Sequence, residues 1–462
     1  MLVALAAWTL FAFAGREFWS TIPLIVGAFA LAFMVRPSIG RGSTPLFDLA
    51  LIACLLVIAG QIVPLPPAFR LTLSPHAGGA DSALWLDAPS NPLAGPARPL
   101  SIDLGATRMA LLLAVTIALF FWAARTILAR GGIRVVARGL AWTGFALAVV
   151  AILQHATAPK LLYWRWPTIF GGPFGPYLNR SDFSMWLILA IPVTVGYMLA
   201  RIESTNRASG SFNLARVADP TAIWLTGSVC FMSAAVLTAM SRSGLTGAAV
   251  ALACFVWLSR RRTGRSGRTR LLAGITIVLA VAVTYANVGA LADRVGETLA
   301  DGIGGRRVIW SDTWPMVKDF WLTGIGAGAY QRGMLVYQQH LRGHFYFNHA
   351  HNEYLQVAAE GGVLLMIPAA VAILAGIRQI VLRLRRDDST IFWIRVGAAS
   401  GMVAAAVQSV WETGLRMPAN AALFALLAAI ALHDAGARKT QKGRPDGRPL
   451  RESPKAPRLE SM

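Results

Sequence analysis

A chain of 462 residues that is 55% hydrophobic and only 14% charged, with a mean hydropathy of +0.54, lies outside the range of soluble domains. In those about a quarter of the residues are charged. The composition excludes a soluble globular protein and marks a polytopic membrane protein. The formal charge of +21 raises nucleic acid as a partner, an idea that the distribution of the charge removes below.

Taken in order, the chain starts with two apolar runs, Met1 to Ala14 and Ile22 to Val35, without the basic leader of a cleaved signal peptide. A third run covers Leu46 to Val63, and a Pro/Gly-rich segment, Pro64 to Ile102, is too polar to span and too punctuated for a long helix. Further spans are expected at Met109–Ala123, Val135–Leu153, Phe183–Ala200, Ala222–Met240, Leu245–Leu258 and Leu271–Val288. A second long polar segment runs from Gly289 to His351, followed by apolar runs at Val357–Ile380, Phe392–Val410 and Pro418–Leu432. At about 20 residues per crossing, the expected fold is all-α, with about twelve transmembrane helices and a large loop before the tenth. The membrane domain is 1–434, with outward loops at 64–107 and 289–353, and 435–462 reads as a basic, Pro-rich disordered tail. Cys54, Cys230 and Cys254 all fall inside apolar runs and read as small buried hydrophobes, with no CxxC-type zinc site.

Arginine and lysine orient the spans. Alternate connections, with the tail, carry 28 of the 43 basic and 9 of the 22 acidic residues, whereas the other side carries 15 and 13. The split, a net of +19 against +2, places both termini in the cytoplasm and makes the basicity a topology signal, so nucleic acid is not an expected partner. Both long polar segments then face outward. The span centres are nearly free of ionisable residues, which are what an ion-coupled transport path places at mid-membrane. Polar residues gather instead at outward ends: Arg180, Asp182, Arg242, Arg306, Arg307, His349, His351, Glu412 and Arg416.

The stretch His349-Ala350-His351-Asn352-Glu353-Tyr354-Leu355-Gln356 holds two of the seven histidines and opens into an apolar run. A helix starting near Asn352 would put His351, Tyr354, Leu355 and Ala358 on one face. His351 then stands at a helix N-terminus, where free N–H groups and the dipole favour an anion. That suits chemistry, and it equally suits a histidine that only caps the helix. His340, His344 and His349 could form a metal site with His351, but no carboxylate spacing supports it. Gly324 to Gly328 mimics a dinucleotide loop without the strand–helix context, and so reads as a turn.

Four blocks together resemble the bacterial O-antigen ligase and O-antigen polymerase family of inner-membrane proteins. They are Gly175-Pro176-Tyr177-Leu178-Asn179-Arg180, Ser241-Arg242-Ser243-Gly244, Gly305 to Trp310 with Trp314-Pro315-Met316 and Gly324 to Gly328, and His351-Asn352-Glu353-Tyr354-Leu355 with Glu360-Gly361-Gly362. They place a family core at about 175–375. Leu364-Leu365 departs from the family, which usually has another small residue there. The resemblance implies transfer of a glycan from undecaprenyl pyrophosphate to an acceptor hydroxyl at the periplasmic face. The acceptor is lipid A-core in a ligase and another lipid-linked glycan in a polymerase. A polysaccharide or lipid-linked-sugar translocator is the reading from another class.

Chemistry accounts for the residue types. Guanidinium groups bind a departing pyrophosphate at two points, and a neutral histidine removes the hydroxyl proton near pH 7. His351 is therefore the expected base. Arg242, Arg306, Arg307, Arg180, Asn352 and Glu353 are the expected substrate-binding residues, with no metal or cofactor called for. Each has a plainer alternative: Arg242 as an interfacial anchor, one of Arg306 and Arg307 as merely solvated, Glu353 and Glu360 as helix-start and packing residues, Glu412 as a partner for Arg416. Reporter fusions test the orientation. Fusions after Arg268 and at Arg444 are expected to report cytoplasm, and fusions within 80–95 and 327–342 periplasm. A cytoplasmic signal from the last would put the site on the wrong side for the donor's sugar.

Overall fold

The computed structural model of the chain describes residues 1–40, 44–85, 91–168, 172–209, 220–264, 304–340 and 346–434. The described elements are nearly all helical: α1 (Leu2–Phe11), α2 (Phe18–Val35), α3 (Pro45–Gly60), α4 (Pro67–Leu73), α5 (Ala77–Leu84), α6 (Leu104–Arg130), α7 (Ile133–Thr157) and α8 (Arg180–Ser209). They continue with α9 (Pro220–Thr238), α10 (Arg242–Ser259), α11 (Gly304–Asp319), α12 (Tyr330–Tyr337), α13 (Glu353–Arg385), α14 (Phe392–Gln408) and α15 (Pro418–Ala431). The named strands, β1 (Leu161–Leu162) and β2 (Trp166–Pro167), form one antiparallel pair.

Eleven of the twelve apolar stretches read from the sequence carry a helix, and the twelfth, 271–288, lies outside the described residues, as does the tail. Among the described residues, seven helices are long and apolar enough to cross a membrane: α2, α6, α7, α8, α9, α10 and α13. The others are shorter. α1 has 10 residues, about 15 Å at 1.5 Å per residue, or half of a ~30 Å hydrocarbon core. The structure thus supports a polytopic membrane protein, with seven full-length spans among the described residues, where hydropathy runs over the whole chain suggest twelve.

α8, α14 and α15 form the centre, and small residues make it possible. Lipid tails are as apolar as side chains, so membrane helices associate through close packing rather than through exclusion of water. A Cβ on Gly397 would lie 2.1 Å from the Pro192 carbonyl oxygen, and one on Gly196 2.2 Å from that of Trp393. Gly401 meets the Leu189 carbonyl in the same way. The backbones of α8 and α14 therefore touch where side chains would hold them apart. At the basic end of the bundle, Asp48 takes both nitrogens of Arg125 at 2.7 Å and the Trp122 indole at 3.0 Å. There too Arg395 and Asp387 pair at 2.6 Å, both fully buried.

The two long polar segments meet at the opposite end and share a core of their own. Ala77, Ala80 and Ile102 from the first pack with Met316, Phe320, Ile325, Tyr330 and Met334 from the second. The buried Arg70–Asp81 pair, at 2.6 Å, fastens α4 to α5 beneath them.

This cap enters the bundle through a gap in α13. Gly362 has φ +55° and ψ −164°, which interrupts the helix. The freed carbonyls of Ala359 and Glu360 accept from the N–H groups of Ile325 and Gly326, and Val363 and Leu364 donate to the carbonyls of Trp321 and Leu322. Gln61 closes the joint. Its amide donates to Thr323 and Glu360 carbonyls at 2.8 Å and accepts from Ala327 at 3.0 Å. Gly324 to Gly328 is thus a structural turn, with positive φ at Gly324, Gly326 and Gly328. A Cβ on Gly362 would lie 2.5 Å from the Leu322 carbonyl carbon, in a conformation essentially confined to glycine. Gly362→Ala is therefore expected to cost about 1–3 kcal/mol or more of stability, visible as a lowered unfolding temperature in detergent. Gly227→Ala, with nothing within 4 Å of the new Cβ, should be neutral or slightly stabilising.

Candidate active site

The cap end of the bundle carries a polar junction centred on Glu412, which lies just beyond α14 and is 2% exposed. Its Oε1 pairs with Arg306 Nη2 at 2.5 Å and accepts from Ser243 Oγ at 3.4 Å, while its Oε2 lies 3.2 Å from His351 Nδ1. Burial alone would raise this carboxyl, but the hydrogen bond from His351 and the charge of Arg306 hold it below its ordinary value. It is therefore an anion at neutral pH, and the imidazole is turned by it.

Four helix N-termini surround this carboxylate. Asn352 caps α13 by accepting from Leu355 N–H at 3.0 Å, and Glu353 N–H donates to the Ser409 carbonyl at 2.9 Å. His351, just outside the cap, has φ +47°, a left-handed conformation that folds its ring back toward Glu412. Ser241 caps α10 through Gly244 N–H at 3.2 Å and donates to Ser181 Oγ at 3.1 Å, bringing in the start of α8. Gln408 binds the Ser181 carbonyl at 2.9 Å from the end of α14. Arg306 stands in the first turn of α11. The positive ends of α8, α10, α11 and α13 thus meet in one place, a setting that favours an anionic ligand.

Below this layer lies a second ion cluster. Arg416, in a short 3₁₀ turn (Gly414–Arg416), bridges Glu353 at 3.2 Å and Glu360 at 2.9 Å. It joins the first turn of α13 to the residue beside the helix break. Gln356 Nε2 donates to Glu360 at 3.1 Å and lies 3.3 Å from His349 Nδ1, and its oxygen accepts from Ala350 N–H at 3.0 Å. Burial first, then the nearby Arg416 guanidinium and the adjacent His351 ring, push the His349 imidazole down to about 4.

The expected residues separate on this geometry. His351, Arg306 and the caps flanking Arg242 come together at Glu412. Arg242 is exposed and has no ion-pair partner among the described residues. Arg180, also exposed, opens α8 at the edge of the junction. Arg307 is exposed, does not pair with Glu412, and lines an open groove with Trp310, Ser311, Trp314, Pro315, Asn352 and Leu355. Of the two neighbouring arginines, Arg306 is the one at the histidine. Glu353 is taken up by Arg416, which favours its helix-start role over contact with substrate, and Glu412 pairs with His351 and Arg306 where Arg416 was the expected partner. The described histidines do not gather: His340 Nδ1 is 2.6 Å from Asp312 and His349 faces Gln356. His344 lies outside the described residues.

Sequence reasoning named Glu412 in the polar cluster but offered it only an arginine as partner, and it missed Gln356, Gln408 and Asn420. Asn420 accepts from the Tyr177 hydroxyl at 2.7 Å and donates to the Asp182 and Gly414 carbonyls, locking the turn before α8. A signal for Glu412 did exist: it is the only acid between Asp388 and Asp434. His349 makes a pH prediction. Its imidazole stays neutral in the folded protein down to about 4, while in the unfolded chain it titrates near 6.5. Stability should therefore fall as pH drops from about 6.5 to about 4, where only the unfolded chain takes up the proton. His349→Gln should flatten that fall in thermal unfolding measured between pH 7 and 4.5.

No curated protein matches the chain. Residues 227–370 match the O-antigen ligase family, a stretch that takes in most of α9, all of α10, α11 and α12 and the first half of α13. It therefore includes Arg242, Arg306, Arg307 and His351, whereas Glu412 and Arg180 lie beyond it. Over the segment that supplies the histidine and three of the four arginines, the chain is similar to the O-antigen ligase family.

Proposed function

We propose that this protein is an inner-membrane glycosyltransferase that moves a glycan from undecaprenyl pyrophosphate to an acceptor hydroxyl at the periplasmic face, as an O-antigen ligase does with lipid A-core. The observation that carries this reading is the Glu412 carboxylate shared between His351 and Arg306 where four helix N-termini meet.

The chemistry follows from that arrangement. With Nδ1–H donating to Glu412, the lone pair of His351 is on Nε2, directed away from the carboxylate. The acceptor hydroxyl loses its proton to Nε2 as its oxygen attacks the anomeric carbon of the donor sugar. The bond from that carbon to the pyrophosphate oxygen breaks, and the electron pair leaves with the pyrophosphate. Two charges result, and each has a counterpart: Glu412 faces the imidazolium, while Arg242, Arg306 and the helix ends face the leaving group. This route asks for no metal or nucleotide, since the arginines supply the neutralising charge.

A polymerase would use the same residues and differ only in its acceptor. Deletion of the gene separates the two. Lipid-linked polymer accumulating without polymer on lipid A-core indicates a ligase, and single-repeat capping of the core indicates a polymerase. A translocator finds less support, because the ionisable cluster sits at one end of the bundle.

Loss of a general base typically costs about 10²–10⁴ in rate, roughly 3–5 kcal/mol of barrier. His351→Ala should therefore accumulate normally yet transfer almost no glycan in a reconstituted assay with lipid-linked donor. Arg242→Lys, which keeps the charge and loses two-point binding, should stay well below wild type, and chelator should change little. Near-normal turnover by His351→Ala would refute the base assignment, and strong chelator inhibition would bring back a metal.

A further inference from the structure

The groove beside the junction has a composition that the transfer step does not use. α11 is two-sided. Its inner face holds the cap: Asp312 accepts from the N–H groups of Gln339 and His340, Thr313 meets the Tyr330 hydroxyl at 2.6 Å, and Met316 is fully buried. Its outer face presents Arg307, Trp310, Ser311 and Trp314, at the i, i+3, i+4 and i+7 positions of one helical stripe. Across the groove stand Asn352 and Leu355, on the first turn of α13 and its cap.

Three features say what this groove fits. First, its aromatic walls are set in place. Trp310 donates its indole N–H to the Ala350 carbonyl at 2.9 Å, so its ring is fixed against the residue preceding His351. Trp314 is 53% exposed, with Lys318 6.0 Å from its ring centroid. An indole face is flat, apolar and electron-rich, and so suits the C–H face of a pyranose ring. Second, the rim is polar and unspent. Arg307 has no ion pair among the described residues, and the Asn352 carbonyl is used as the cap while its amide nitrogen remains a donor. Third, the groove is shallow, and Asn352 at one end of it adjoins the proposed base.

A prenyl chain would be served by a closed aliphatic trough, but this groove is open, and of its seven lining residues only Pro315 and Leu355 are aliphatic, two are tryptophans and three are polar. We infer that this groove is a glycan subsite, in which a sugar ring stacks on Trp314 while Arg307, Ser311 and Asn352 bond to its hydroxyls or to an acidic substituent. The inference rests on the glycosyl-transfer reading and adds to it a place for the sugar beyond the reacting carbon. That sugar belongs either to the donor glycan or to the acceptor.

The test uses the full-length protein in detergent, in a His351→Ala background so that no turnover occurs. Two water-soluble probes are the O-polysaccharide fragment and the core oligosaccharide, each released by mild acid from the producing cell's lipopolysaccharide. Farnesyl pyrophosphate serves as a lipid probe without sugar. Replacing Trp314 by Leu, which keeps the apolar bulk and loses the flat face, should weaken binding of one oligosaccharide about 5-fold or more, while Trp314→Phe stays within about 3-fold of the parent. Farnesyl pyrophosphate should bind all three alike. The fragment whose affinity falls identifies the groove as a donor or an acceptor subsite. Equal binding by the Leu and parent forms overturns the inference, as does loss of farnesyl pyrophosphate binding alone, which would mark a prenyl trough. Failure of both fragments to bind, with transfer by the wild-type protein intact, also overturns it while leaving the transfer reading standing.

Discussion

A buried carboxylate is costly unless it is paired, and Glu412 has three partners from three distant parts of the chain. His351 comes from the start of α13, Arg306 from α11 and Ser243 from α10. Because the carboxylate cannot do without these partners, it fixes where three helix ends stand. Positive helix ends do not gather of their own accord, since their partial charges repel, and a buried anion among them offsets that repulsion. The same negative charge orients the imidazole. One residue thus serves the packing of the bundle and the geometry of its chemistry.

The second constraint is the gap in α13. A helix interrupted inside a membrane leaves backbone groups that lipid cannot satisfy. Here the segment Trp321–Gly326 supplies their partners in order, and Gln61 supplies the rest. The cap is joined to the bundle by backbone hydrogen bonds as well as by side-chain contact. Arg416 adds a lateral tie across the first two turns of α13, between Glu353 and Glu360. The N-terminus of α13, and with it His351, is held from the cap side and from the 3₁₀ turn. A histidine whose position depends on two such ties is preorganised, which is what its proposed role as a base needs in order to meet a hydroxyl at hydrogen-bond distance.

The centre of the bundle shows a different economy. α8 and α14 approach so closely at Gly196, Gly397 and Gly401 that backbone meets backbone. This contact brings Ser181 at the start of α8 within reach of Gln408 at the end of α14, and so places Glu412, four residues further on, beside the other helix ends. Small residues in the middle of the bundle therefore determine a distance at its end.

By itself the sequence determined the all-helical membrane class, eleven of the described helices and the two polar segments, and it put a cluster of arginines and histidines at the ends of spans. Hydrophobic runs and charge asymmetry are local properties that the bilayer reads directly. It also pointed to His351, because a cap residue followed by an apolar run marks a helix start wherever it occurs. Only the tertiary structure decided that Glu412 faces His351 and Arg306 while Arg416 faces Glu353 and Glu360, and which of Arg306 and Arg307 turns inward. The lengths of the spans were also left to it, since an apolar run does not say where a helix stops. The break at Gly362 was hidden for a similar reason. A glycine pair in an apolar run is compatible with an unbroken helix, and what opens it here is a strand of backbone from some forty residues earlier in the chain. Pairings between charges depend on where helices cross, and that depends on contacts between residues far apart in sequence, which no local pattern records.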